Sequence, residues 1–137
     1  MLVDSSVLVD YFSRQRGRAW RLFERALQAR EPVFVTPVVL QEVLQGARDE
    51  HEFGKIRESL RALACLEPHD AIEAANQAAH LYARCRWGAV TIRSPIDCLI
   101  AVTAVQHGVP LLTEDRDFVA IRRFLPGLKL IELPADS

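Results

Sequence analysis

The sequence predicts a three-layer α/β domain with a mainly parallel sheet of four to five short strands. Short apolar runs, such as Val33-Phe34-Val35 and Val109 to Leu112, alternate with longer segments whose apolar residues recur at helical spacing. Strands met in that order are joined through helices, which makes them parallel and covers them on both faces. The chain has 137 residues, 50% of them hydrophobic, which fits one domain over residues 1–137 with a substantial core.

The elements follow in order. Leu2 and Val3 form an apolar run that meets Asp4-Ser5-Ser6, after which Val7, Leu8, Tyr11 and Phe12 repeat at helical spacing. A polar loop around Ser13 to Arg18 leads to a second amphipathic helix carrying Trp20, Phe23, Ala26 and Leu27, which Pro32 terminates. Val33 to Val35 is the second strand. Thr36-Pro37 then starts a helix, since Thr accepts from free amides and Pro suits the first helical position. This puts Glu42 in the second turn.

A charged segment from Arg48 to Arg61 sets Phe53, Ile56, Leu60 and Leu63 on one face and reads as a solvated helix. A third strand near Ala64 to Leu66 stops at Pro68. Asp70 and Glu73 form a capping-box pattern at the head of an alanine-rich helix that runs to about Arg86. Gly88 to Arg93 is a loop, and Ser94-Pro95-Ile96-Asp97 opens a helix so apolar from Cys98 to Val105 that it belongs at the centre. His107-Gly108 closes it. Val109 to Leu112 is the fourth strand, Thr113 to Asp117 a polar turn, Phe118 to Phe124 a short helix and Leu128 to Leu133 a last strand.

Composition narrows the function classes. Nothing at the N-terminus pairs a basic region with an apolar stretch, and no run nears the roughly 18 apolar residues of a membrane span, so a cytoplasmic protein without membrane contact is expected. Cys65, Cys85 and Cys98 are odd in number and widely spaced within apolar or helical runs, which suggests buried free thiols. His51, His69, His80 and His107 lack metal-site spacing and read as surface or cap residues, so a soft-metal site is not expected. The net charge of -1 gives no sign of a nucleic-acid binder. Lys55 and Lys129 are nevertheless the only lysines, and every other cation is arginine, which suits bidentate phosphate contacts.

The chemistry is carried by acids. Ligands of open parallel sheets bind beyond the carboxyl ends of the strands. Asp4 directly follows the first strand and Asp115 and Asp117 the fourth, while Glu42 and Asp97 lie in early turns of helices leaving the same edge. Each has a structural reading as well: Asp4 and Asp115 as helix caps, Asp97 as the acidic half of a capping box with Ser94, Glu42 as a solvated residue, Asp117 as a cap or supporting acid. Several carboxylates gathered at one rim raise one another's pKa unless a cation compensates. Hard oxygen donors suit Mg²⁺ or Mn²⁺.

Four segments in this order resemble the PIN-domain family and, within it, the VapC-type toxins of bacterial toxin–antitoxin pairs. They are Val3-Asp4-Ser5-Ser6, the run Thr36 to Gly46 containing Glu42, Pro95-Ile96-Asp97-Cys98-Leu99-Ile100-Ala101, and Leu111-Leu112-Thr113-Glu114-Asp115-Arg116-Asp117-Phe118. The resemblance implies an endoribonuclease whose Asp4, Glu42, Asp97 and Asp115 hold one or two Mg²⁺ ions, with Ser6 orienting the first carboxylate or a water. Asp117 shares the matching stretch with Asp115, and Asp115 is favoured as nearer the strand end. Paired ions about 4 Å apart stabilise the attacking and leaving oxygens of an in-line displacement. Such attack leaves a 5′-phosphate.

The resemblance further implies an RNA substrate, a homodimer, and an antitoxin that packs an apolar segment on the helices and sends an arginine into the acidic site. Arg14, Arg16 and Arg18, with Arg84, Arg86, Trp87 and Arg93 around the approach to Asp97, are candidates for gripping single-stranded nucleic acid. A haloacid-dehalogenase phosphatase needs a second Asp where Ser6 stands, and a phospho-receiver needs a late lysine where only Lys129 is available. The alternative from another class is a PIN-fold module that binds RNA or protein without cutting.

Overall fold

The computed structural model describes residues 1–13 and 17–135, so Arg14 and Arg16 of the expected arginine loop lie outside the described residues. Its elements are β1 (Leu2–Val3), α1 (Ser5–Ser13), α2 (Arg18–Gln28), β2 (Phe34–Val35), α3 (Pro37–Leu44), α4 (Glu50–Leu60), β3 (Ala64–Cys65), α5 (Ala71–Trp87), α6 (Pro95–His107), β4 (Leu111–Leu112) and α7 (Asp117–Phe124).

The strands form one sheet in the order β3-β2-β1-β4, with every pairing parallel. From β1 the chain builds outward through β2 to β3, then returns to place β4 on the other side of β1. This creates a switch point between β1 and β4, where open α/β sheets place their ligand crevice. Successive strand residues point to opposite faces. Leu2 and Val3, and likewise Leu111 and Leu112, are all fully buried, so both faces of the central strands are covered. The helices supply that cover in two packed groups, α1 to α4 and α5 to α7.

Local signals account for most boundaries. The Thr36 hydroxyl accepts from Val39 N–H, and Pro37 occupies the first turn of α3. Asp70 accepts from the N–H groups of Ile72 and Glu73 to start α5, but Glu73 takes Gln77 as its partner rather than completing a capping box. Gly108 closes α6 at φ 63°, in the left-handed region that glycine enters without steric cost. Helix α6 is buried nearly all round, from Asp97 and Cys98 through Ile100 to Ala104.

Two further expectations are corrected. The last strand shrinks to a single parallel bridge between Leu111 and Leu130, held by Leu111 N–H to Lys129 C=O at 2.8 Å and Ile131 N–H to Leu111 C=O at 2.9 Å. Pro134, which has no N–H to donate, follows soon after and limits further pairing. Cys85 and Cys98 are buried free thiols as expected, but Cys65 is exposed because β3 is an edge strand.

Candidate active site

The site begins where β1 and β4 end side by side. Asp4 follows β1, its backbone N–H donates to Leu112 C=O at 3.3 Å, and its side chain is only 2% exposed. A buried carboxylate needs donors, and two hydroxyls supply them. Ser6 Oγ donates to Asp4 Oδ1 at 2.7 Å, and Thr113 Oγ1 donates to Asp4 Oδ2 at 2.8 Å. Each hydroxyl in turn accepts a backbone N–H from the loop after β4: Ser6 from Glu114 at 3.0 Å and Thr113 from Asp115 at 2.9 Å. The two strand ends are thereby tied into one frame around the Asp4 carboxylate.

Burial raises the Asp4 pKa to about 6, although the hydroxyls of Ser6 and Thr113 and the Val7 backbone N–H all favour the ionised form. Asp97 is the stronger case. It lies in the first turn of α6, 8% exposed, with its N–H bonded to the Ser94 carbonyl at 3.1 Å. Ser94 makes no side-chain cap bond, so the capping-box reading of Asp97 fails. Burial first, then the charges of Asp115, Asp4, Glu42 and Asp117, raise its pKa to about 7. Every acid expected at this rim therefore bears on Asp97.

The remaining acids differ in their commitments. Glu42 on α3 is half-buried, desolvation raises its pKa, and its Oε1 is buried with no hydrogen-bond partner. An orphaned carboxylate oxygen is costly unless something absent from the chain satisfies it. Asp115 Oδ1 accepts Asp117 N–H at 2.9 Å, which turns the chain into α7. Asp97, Asp115 and Asp117 each offer an oxygen within 4.8 Å of the others, the spacing a single ion needs. Asp4 and Glu42 are not part of that trio but lie close enough for their charges to act on Asp97.

Other residues of the site carry little local sequence signature. Thr113, which the sequence assigns only to a polar turn, is buried and holds Asp4. A hydroxyl directly after an apolar strand that ends beside an acid is the signal that could have singled it out. Glu114 accepts the Ala19 N–H at 2.5 Å, linking the same loop to the start of α2, where Gly17 has no side chain to cap the helix. Arg93, expected to grip substrate, is instead ion-paired to Asp115 and Asp117. Arg86 and Trp87 are exposed at the end of α5, while Arg84 is half-buried. The histidines lie at or near the surface, with the His107 and His69 rings 4.2 Å apart between centroids and tilted by 38°.

An all-parallel sheet with a switch point, and four carboxylates converging there on a fifth, the buried Asp97, define an α/β domain with a cation-seeking acidic centre. The PIN domain family matches residues 1–123, and the chain belongs to that family. A VapC ribonuclease of Mycobacterium bovis is 33% identical over 125 residues, covering 90% of this chain and 92% of the relative, and ribonuclease VapC11 of Mycobacterium tuberculosis matches equally well. Among solved structures, the Rickettsia felis VapBC2 complex bound to a promoter DNA fragment aligns with a TM-score of 0.74 at 18% identity, over 97% of this chain and 98% of that one. VapBC-5 of Mycobacterium tuberculosis aligns at 0.65 with 24% identity, over 96% and 97%. The structural likenesses establish the fold; no helix among the described residues is long and apolar enough to cross a membrane.

Proposed function

We propose that this chain is a divalent-metal-dependent endoribonuclease that hydrolyses RNA phosphodiester bonds as the cytoplasmic toxin of a toxin–antitoxin pair. One observation carries the reading: Asp97 is buried against four other carboxylates, one of which, Glu42, has a buried oxygen without a partner. Like charges so placed call for a multivalent cation, and all-oxygen donors select Mg²⁺, with Mn²⁺ as a substitute. Its ligands are Asp4, Glu42, Asp97 and Asp115. Asp117, whose Oδ2 is taken by the Arg93 backbone N–H at 3.0 Å, serves chiefly as an anchor.

When bound, the ion supplies an activated water and neutralises charge developing on the phosphate. The chain's own residues prepare for it. Ser6 and Thr113 hold both oxygens of Asp4, so this carboxylate meets the ion without reorganising. Asp97 lies in the field of the other acids, which favours its protonated form, and a cation held there would favour the carboxylate. The exposed Trp87 and Arg86 suit stacking and phosphate contact with single-stranded RNA.

Two surfaces suit protein partners. A groove of about 1030 Å³ between α1, α2 and α4 sets Tyr11, Phe12, Trp20 and Ile56 among charged residues such as Glu24, Glu52 and Lys55, which suits an amphipathic antitoxin segment with an apolar face and charged flanks. A second depression on α5 and α6, lined by Ala75, Ala79, Tyr82, Ile96 and Leu99, fits another copy of the chain. Purified protein incubated with single-stranded and structured RNAs tests the enzymatic reading. Cleavage with Mg²⁺ or Mn²⁺ that stops on chelation is expected. RNA binding without cleavage under any divalent ion would favour the binding-module alternative.

A further inference from the structure

Arg93 lies in the segment between α5 and α6, flanked by the buried Ile92 on one side and by Ser94 and the start of α6 on the other. Its backbone N–H donates to Asp117 Oδ2 at 3.0 Å, its Nε to the same oxygen at 3.2 Å, and its Nη2 to Asp115 Oδ1 at 2.7 Å. The arginine side chain is nevertheless 72% exposed, against 22% for Asp115 and 15% for Asp117. The guanidinium thus enters the acidic cluster from solvent and forks across two carboxylates.

These contacts separate into a fixed part and a releasable part. The backbone bond to Asp117 is held by the buried residue before Arg93 and the helix after it. The side-chain bonds break by rotation into water, which uncovers no apolar core. Asp115 and Asp117 are also two of the three acids, with Asp97, whose oxygens gather within 4.8 Å. The same carboxylates therefore serve a guanidinium and, with Asp97, are spaced so that an ion could be held among them. A dication sharing them with the guanidinium meets a like charge at short range.

We propose that Arg93 is a counter-ion latch, pairing with Asp115 and Asp117 in the ion-free protein and swinging out when a divalent ion binds, so that it sets the ion concentration at which the centre loads. The proposal rests on reading the carboxylates as a divalent-metal centre. Arg93 acts through Asp115 and Asp117 and is a positioning residue.

Calorimetric titration of Mn²⁺ into full-length, chelator-treated wild type, R93A, R93K and D97N tests it, at about 0.15 M ionic strength where distant charges are screened. R93A should bind Mn²⁺ roughly three- to tenfold more tightly than wild type. R93K should gain less, because an ammonium cannot fork. D97N should bind at least about tenfold more weakly. Equal or weaker binding by R93A, with wild-type binding intact, overturns the latch and leaves the metal centre standing. A gain that disappears in about 0.5 M salt reports diffuse charge and overturns it too. Failure of wild type to bind Mn²⁺ removes the metal centre and the latch together. If R93A does not fold, R93K against wild type decides.

Discussion

The Thr113 hydroxyl donates to Asp4 Oδ2 at 2.8 Å and joins the ends of β4 and β1 through one buried bond. Thr113 Oγ1 itself accepts the Asp115 N–H, so Thr113 couples two acids of the site. Thr113→Val keeps the shape and removes both roles. It should lower metal affinity and RNA cleavage by about 10- to 100-fold, the usual effect of losing a partner behind a metal ligand. Ser6→Ala should act in the same direction through Asp4 Oδ1. Calorimetric Mn²⁺ affinity and initial cleavage rates check both, and wild-type values in T113V would show that Asp4 needs no such support.

Asp115 and Asp117 should respond differently to loss of charge. Asp117→Asn leaves the Arg93 loop with a weaker anchor and should reduce cleavage modestly, by less than about tenfold. Asp115→Asn removes a proposed ligand and should cost about 100-fold or more. Steady-state kinetics on one RNA across a Mg²⁺ series separates them. The reverse ranking would exchange their roles.

The pH dependence of stability follows from Asp4 and Asp97, whose pKa values are raised to about 6 and about 7. In the unfolded chain both lose their protons near pH 4. Between about pH 4 and 7 the folded protein therefore holds protons that the unfolded chain has released, and stability falls as pH rises through that window. Thermal unfolding in chelator should give a higher Tm near pH 5 than near pH 8, and Mg²⁺ should recover much of the loss at pH 8 by binding the folded state. A chelated Tm that rises from pH 5 to 8 would contradict these shifts.

Much of this was legible in the sequence because it rests on short-range rules. Alternating apolar runs announced the strands, Thr36-Pro37 and Asp70 announced helix starts, and placing Asp4, Asp97 and Asp115 at strand ends or helix heads was enough to predict one acidic rim. What stayed hidden depends on distant segments meeting. Thr113 lies 109 positions from Asp4, Arg93 lies 22 from Asp115, and Glu114 caps a helix 95 positions earlier. No local pattern encodes such partners. The exposure of Cys65 depends on β3 lying at the sheet edge, which follows from strand order rather than from the apolar run itself.

Glu114 offers a test of the frame independent of chemistry. Its Oε1 accepts the Ala19 N–H at the start of α2. Glu114→Ala should destabilise the fold by about 0.5–2 kcal/mol, the range for loss of a capping acceptor. Urea unfolding measures it, and an unchanged midpoint would show that the contact contributes nothing.

The central claim is that Asp97, surrounded by Asp4, Glu42, Asp115 and Asp117, is the heart of a metal-dependent ribonuclease centre. Single-turnover cleavage of an end-labelled RNA in Mg²⁺, by wild type and Asp97→Asn matched for folding by circular dichroism, tests it most directly. The account predicts cleavage by wild type and a loss of at least about 1000-fold in the folded variant. Undiminished cleavage by folded Asp97→Asn would contradict it.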